Sequence, residues 1–121
     1  MINRFENLEV YKEAHSLVLM IYKTTKDFPN YENIGLVSEI RRSAISVVAN
    51  IVEGNARGHK KEFIQFLYLA NGSLEETKYH LLLARDLGYI SLSVYNELQE
   101  QAEKVGKMMP GLIKYWKNHK S

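Results

Sequence analysis

The stretch from Ser38 to Glu62, SEIRRSAISVVANIVEGNARGHKKE, decides how this chain folds. Set on a helical wheel, Val37, Ile40, Ala44, Val47 and Ile51 form one apolar stripe. Ile45, Val48 and Val52 form a second, continuing from Arg41, and Glu39, Ser43, Ser46, Asn50 and Glu53 form a third that is polar and mostly small. A surface helix of a bundle needs one apolar stripe. The first is expected to face a core and the second another subunit, because large exposed apolar patches are uncommon on monomers. The small polar residues permit close helix approach, and Asn50 can satisfy neighbouring polar groups. Gly54 reads as the terminator and Gly58 as the source of freedom in the following loop. Arg41 and Arg42 have two readings: they border an assembly surface and present charge there, or they form ion pairs, Glu39 and Arg42 being one turn apart.

Three more helical segments flank this one. The first, from about Phe5 to Asp27, carries Leu8, Tyr11, Ala14, Val18, Ile21 and Thr25 at three- and four-residue steps, widened by Leu17 and Tyr22, and stops at Phe28-Pro29. The third starts near His59 and runs to about Asp86, with Phe63, Phe66, Leu67, Ala70, Leu74, Leu81 and Ala84 on one side. Gly72-Ser73 in its middle is a weak point expected to let another helix come close, and Gly88 is expected to close the segment in a left-handed conformation. The fourth begins at Ser91 or Ser93, both suited to N-capping, and continues through Tyr95, Leu98, Ala102, Val105, Met109, Leu112, Ile113 and Trp116. Pro110 inside it predicts a kink near Gly106. Short connections favour antiparallel neighbours. The expectation is therefore an all-α, antiparallel up-and-down four-helix bundle, one domain over 1–121, with helices at about 5–27, 36–54, 59–87 and 91–118.

With 45% hydrophobic and 25% charged residues among 121, the composition is that of an ordinary globular domain. No apolar run approaches the roughly 20 residues a membrane span needs, and acidic residues stand where a signal peptide would have its apolar core. The chain has no cysteine, which removes disulfides, thiolate nucleophiles and thiolate-bound zinc. A cytoplasmic protein without membrane contact is expected, and the acceptor-like triplet at Asn71–Ser73 then has no meaning as a glycosylation site. The net charge of +2 does not advertise nucleic-acid binding, so any such activity must come from local patches or from assembly.

The residues that could carry chemistry are few. Glu76 and His80 stand four apart, no second Glu–His pair answers them, and His80 is expected at the surface or boundary; no metal or other cofactor is expected. Gly54 to Lys60 has the wrong glycine spacing for a phosphate loop, with no Ser or Thr after the lysine and no strand before it. No serine has a histidine placed as a base, so no catalytic residue and no enzyme activity are expected. What remains is basic. Arg57, His59, Lys60 and Lys61 surround the glycine turn, and Lys114, Lys117 and Lys120 are interleaved with Tyr115, Trp116 and His119, a pattern that could contact phosphate and stack bases. The alternative for the C-terminal group is favourable charge at a helix end with Trp116 in the core.

Three blocks then carry a resemblance: FENLEVYKEAHSLVLMIYKTTKDFP, IRRSAISVVANIVEGNARGHKKEFIQFLYLANGSLEE and ARDLGYIS. Together they resemble the bacterial four-helix-bundle proteins encoded in intervening sequences of large-subunit ribosomal RNA genes, a family that includes the accessory protein of diversity-generating retroelements. The most specific parts are the arginine pair followed by NIVEG, the FLYLANGSLEE block and the LGYI turn. The resemblance implies an antiparallel four-helix bundle assembling as a ring-like homo-oligomer, a homopentamer; the retroelement relatives bind nucleic acid and a reverse transcriptase through basic surface. Carried over by position, the basic residues are Arg41, Arg42 and Arg57. Glu39 departs from the family pattern, which usually has glutamine just before the arginine pair, and is placed to neutralise one arginine. Five copies, each at +2, would carry +10 on one particle. The nucleic-acid-binding residues expected from patch and resemblance together are Arg41, Arg42, Arg57, Lys60 and Lys61, with structured RNA the expected ligand and a protein-interaction scaffold the alternative role.

Overall fold

A computed structural model describes residues 4–118. Four helices, α1 (Glu9–Thr25), α2 (Leu36–Ala56), α3 (Lys60–Asp86) and α4 (Leu92–Asn118), account for nearly all of them, with short 3-10 turns at Phe5–Asn7 and Asn30–Glu32 and no strand among the described residues. Each helix packs on the two next to it around the bundle, α1 on α2 and α4, α3 on α2 and α4. The cross-helix pairs run in opposite directions: Ser43 meets His80 while Ser46 meets Ser73, and Phe63 meets Trp116 while Lys78 meets Gln99. The bundle is antiparallel, as short connections require.

The core is a stack of apolar layers from all four helices, including Leu17, Ile21, Ile40, Ile51, Leu67 and Met109. The first stripe of α2 is buried as its periodicity predicts. On α1 the inward face is turned slightly from the expectation: Val10 and Leu17 are buried, whereas Leu8, Tyr11 and Val18 only flank the core. Leu8 is extended, so the helix starts one residue later rather than at Phe5.

The helix ends correct two glycine readings. Gly54 does not terminate α2. The helix runs on to Ala56, and Gly58, at φ 75°, supplies the left-handed residue that ends it. Gly54 is instead a point of close approach between α2 and α3: a Cβ there would lie 2.6 Å from the Cβ of Phe66. That close-approach role was expected of Gly72, which has open space where its Cβ would be. Gly88, at φ 79°, ends α3 as expected, with the Tyr89 N–H donating to Ala84 O at 2.9 Å and the Gly88 N–H to Arg85 O at 3.0 Å. Ser91 is the N-cap of α4, its Oγ accepting from the Val94 N–H at 3.1 Å. α4 continues across Pro110, which stands exposed on its outer side.

A carboxylate fixes the connection into α2. Glu32 accepts from the Leu36 N–H at 3.1 Å and from the Tyr89 hydroxyl at 2.7 Å, joining the α1–α2 and α3–α4 connections at one end of the bundle. These bonds hold the Glu32 carboxyl below the usual carboxylate range, and bonding with Tyr31 and Glu32 pushes the Tyr89 hydroxyl up. The same end exposes Tyr31, Leu87, Leu92 and Ile34, the last 96% accessible.

Candidate nucleic-acid interface

The opposite end is basic. Arg57 is the C-cap of α2, and its guanidinium lies 5.1 Å from the centre of the Phe66 ring on α3. Glu53 and Glu62 approach it at 3.7 Å each. These are loose contacts between half-exposed groups, so the ring contact and the helix end fix Arg57 more than the charges do. Lys60 opens α3 and is half-buried, and Lys61 beside it is exposed. The last turns of α4 join them, because Trp116 packs edge-on against Phe63 at 5.5 Å. Lys117 Nζ donates to the Tyr68 hydroxyl at 3.2 Å, and Lys114 is exposed. The two basic clusters, far apart in sequence, therefore lie at the same end of the bundle. His119 and Lys120 lie outside the described residues. Trp116 packs against the core, as the alternative reading of that cluster had it.

Arg41 and Arg42 are not part of this end. They lie about 16 residues before Arg57 on the same helix, about 24 Å along its axis. Arg41 leans onto α1: its guanidinium stacks 4.3 Å from the Tyr22 ring centre, and its Nε–H donates to Thr25 Oγ1 at 2.9 Å. Thr25 in turn donates to Ile21 O at 2.8 Å, so this buried hydroxyl is satisfied in both directions. Beside Arg41, Ile45 of the second α2 stripe is exposed, while Val48 and Val52 are half-buried.

Arg42 points the other way, across α3. It donates to Glu39 Oε1 at 2.9 Å and to Glu76 Oε2. The ion-pair reading of Arg42 is the one seen, with a second carboxylate added from another helix. Those hydrogen bonds hold the Glu39 carboxyl below its ordinary range and the Arg42 guanidinium above its own.

Behind this cluster sits His80, and here the sequence expectation fails. His80, expected at the surface or boundary, is buried, 8% accessible. Its Nδ1 is 3.1 Å from Ser43 Oγ, which is 2.9 Å from Thr77 Oγ1, and Thr77 is 2.9 Å from Ser73 O. The small third stripe of α2 makes room for these polar groups of α3, and Ser46 and Ser73 continue the seam with a 2.8 Å hydroxyl pair. Burial holds His80 below the ordinary histidine range, against the pull of Glu76 and Glu39. No second Glu–His pair meets Glu76 and His80 among the described residues, but Glu39 of α2 does: one carboxylate or ring-nitrogen atom from each of the three lies within 4.8 Å of the others. The guanidinium of Arg42 is already bonded to both carboxylates. The signals were present as Glu39–Arg42 and Glu76–His80 spacings. Their convergence depends on how α3 is rotated about its axis, which neither spacing contains.

The fold and surface define an all-α, four-helix bundle protein whose basic groups divide between an open end and a polar seam. A model of the 23S rRNA-intervening sequence proteins matches residues 6–111, and the chain belongs to that family. Among solved structures it is similar to a protein of unknown function from the S23 ribosomal protein family of Bacteroides thetaiotaomicron, with 25% identity and a TM-score of 0.77, over 87% of this chain and 98% of that one. No curated protein matches. No helix of the described residues is long and apolar enough to cross a membrane.

Proposed function

We propose that this chain is a non-catalytic nucleic-acid-binding protein that assembles with itself into a ring-like oligomer, a pentamer by family resemblance, and takes structured RNA. The observation that carries this reading is that Arg57, Lys60 and Lys61 share one end of the bundle with Lys114 and Lys117. The first turn of α3 adds to it. The His59 side chain makes no capping bond, so backbone N–H groups at a positive helix end stand among the lysines. Tyr68 is exposed beside Lys117 and offers stacking surface. Self-assembly is supported by exposed Ile45 next to Tyr22 and Arg41, an apolar strip with basic edges. A ring would repeat the basic end around one face, so weak contacts would sum.

Anisotropy of a labelled RNA hairpin tests the site. The triple variant R57Q/K60Q/K61Q should bind roughly ten-fold more weakly at low salt, with the slope of log K against log salt flattened by about 0.7 to 0.9 for each phosphate no longer neutralised. Unchanged affinity would remove this end from the interface. Light scattering tests assembly, and a particle of 14.0 kDa at micromolar concentration would rule it out.

One observation favours a second reading, a scaffold for another protein such as a reverse transcriptase. Tyr31, Ile34, Leu87 and Leu92 expose apolar surface at the end away from the lysines. A wild-type protein that ignores RNA at low salt yet forms a stable oligomer would support the scaffold.

A further inference from the structure

Arg42 is held by two carboxylates from two helices. Glu39 reaches it from one turn earlier on α2 and Glu76 from α3. A carboxylate offers a guanidinium the same thing a phosphate does, paired anionic oxygens in acceptor geometry. Glu39 and Glu76 therefore occupy the donors through which Arg42 would grip a nucleic-acid backbone. The side chains of Glu39, Glu76 and Arg42 are 52%, 41% and 53% exposed, so a large polyanion can reach the group and compete. Exposed ion pairs are individually weak, so the competition is winnable.

His80 closes the back of the cluster. Its Nε2 lies 3.8 Å from Glu76 Oε2, just outside hydrogen-bond range, while Ser43 at Nδ1 fixes the ring. The charged and titratable groups around it are Glu39 and Arg42 from α2 and Glu76 from its own helix, with the Tyr79 ring alongside. With a neutral imidazole, the two carboxylates outweigh the single guanidinium. With an imidazolium the charges balance, and both ring nitrogens carry a proton, so a cationic Nε2–H faces Glu76.

We propose that Glu39 and Glu76 form a built-in counter-anion that holds Arg42 off phosphate, and that protonation of His80 loosens it by drawing Glu76 away. The inference rests on the nucleic-acid reading above and adds to it a regulated second contact, away from the basic end. Burial resists the proton, so release comes below the ordinary histidine range, under mildly acidic conditions.

The test uses the full chain and a labelled RNA hairpin. E39Q/E76Q should bind on the order of three- to ten-fold more tightly than wild type at low salt, with a salt slope steeper by about 0.7 to 0.9 as Arg42 takes one more phosphate. E100Q/E103Q removes the same two charges from exposed positions on α4 and should gain less. R42A alone should change little, and R42A in the E39Q/E76Q background should erase the gain. Lowering the pH from about 7.5 to about 5.5 should tighten wild type more than H80Q, a comparison that cancels the other histidines. A double variant that gains no more than E100Q/E103Q, or a gain that survives R42A, overturns the clamp while leaving RNA binding intact. If wild type and every variant fail to bind at low salt, the nucleic-acid reading fails and the clamp falls with it, an outcome distinct from the first.

Discussion

The two halves of α2 use polar residues in opposite ways. In the first half four are tied to another helix: Arg41 to Thr25 and Tyr22, Arg42 to Glu76, Ser43 to Thr77 and His80, Ser46 to Ser73. In the second half the helix instead brings bare backbone against α3 at Gly54 and turns its basic end outward at Arg57. The first half fixes how the helices are rotated, because a buried hydroxyl or imidazole is satisfied in few arrangements. The second half fixes how close they come. Charge is committed to packing in one place and stands at a helix end with looser contacts in the other.

The largest expected effect breaks the close approach. Gly54→Val places a Cβ 2.6 Å from the Phe66 Cβ and 3.0 Å from Phe63 Cδ1. Overpacking of this kind should destabilise the fold by about 2 to 3 kcal/mol, read by denaturant unfolding, whereas the same substitution at Gly72, where a Cβ meets open space, should not cause that clash.

The wired half should be sensitive to one hydroxyl and to pH. Ser43→Ala leaves Thr77 and His80 short of a buried partner and should cost about 1 to 2 kcal/mol in chemical unfolding. His80 in the folded state resists the proton that the unfolded chain accepts, since burial lowers its pKa from 6.5. Stability should therefore be full above that value and fall as the pH drops from it toward the folded value. His80→Gln should remove that part of the pH dependence, visible as a flatter midpoint-versus-pH curve.

The smallest effect sharpens the contrast. R57Q/K60Q/K61Q, which should weaken RNA binding most, should change stability by less than about 1 kcal/mol, because these groups sit at a solvent-exposed helix end with loose ion pairs. A thermal melt checks it. A large loss of stability would mean that the basic end, too, is committed to the fold.

The amino-acid sequence by itself determined the four helices, the buried stripe of α2, the left-handed closure at Gly88 and the alternatives at Ser91 and Ser93. Each of these follows from local spacing and local conformational cost, which a linear pattern contains. The Glu39–Arg42 pair was legible for the same reason. Only the tertiary structure decided that Gly54 is a contact rather than an end, that His80 is buried, that Glu76 shares Arg42 with Glu39, and that Lys117 stands over Tyr68 at the same end of the bundle as Arg57. These depend on the rotation and separation of helices far apart in the chain. The packing of all four sets both, because each polar group on the seam must find its partner in the same arrangement that closes the core.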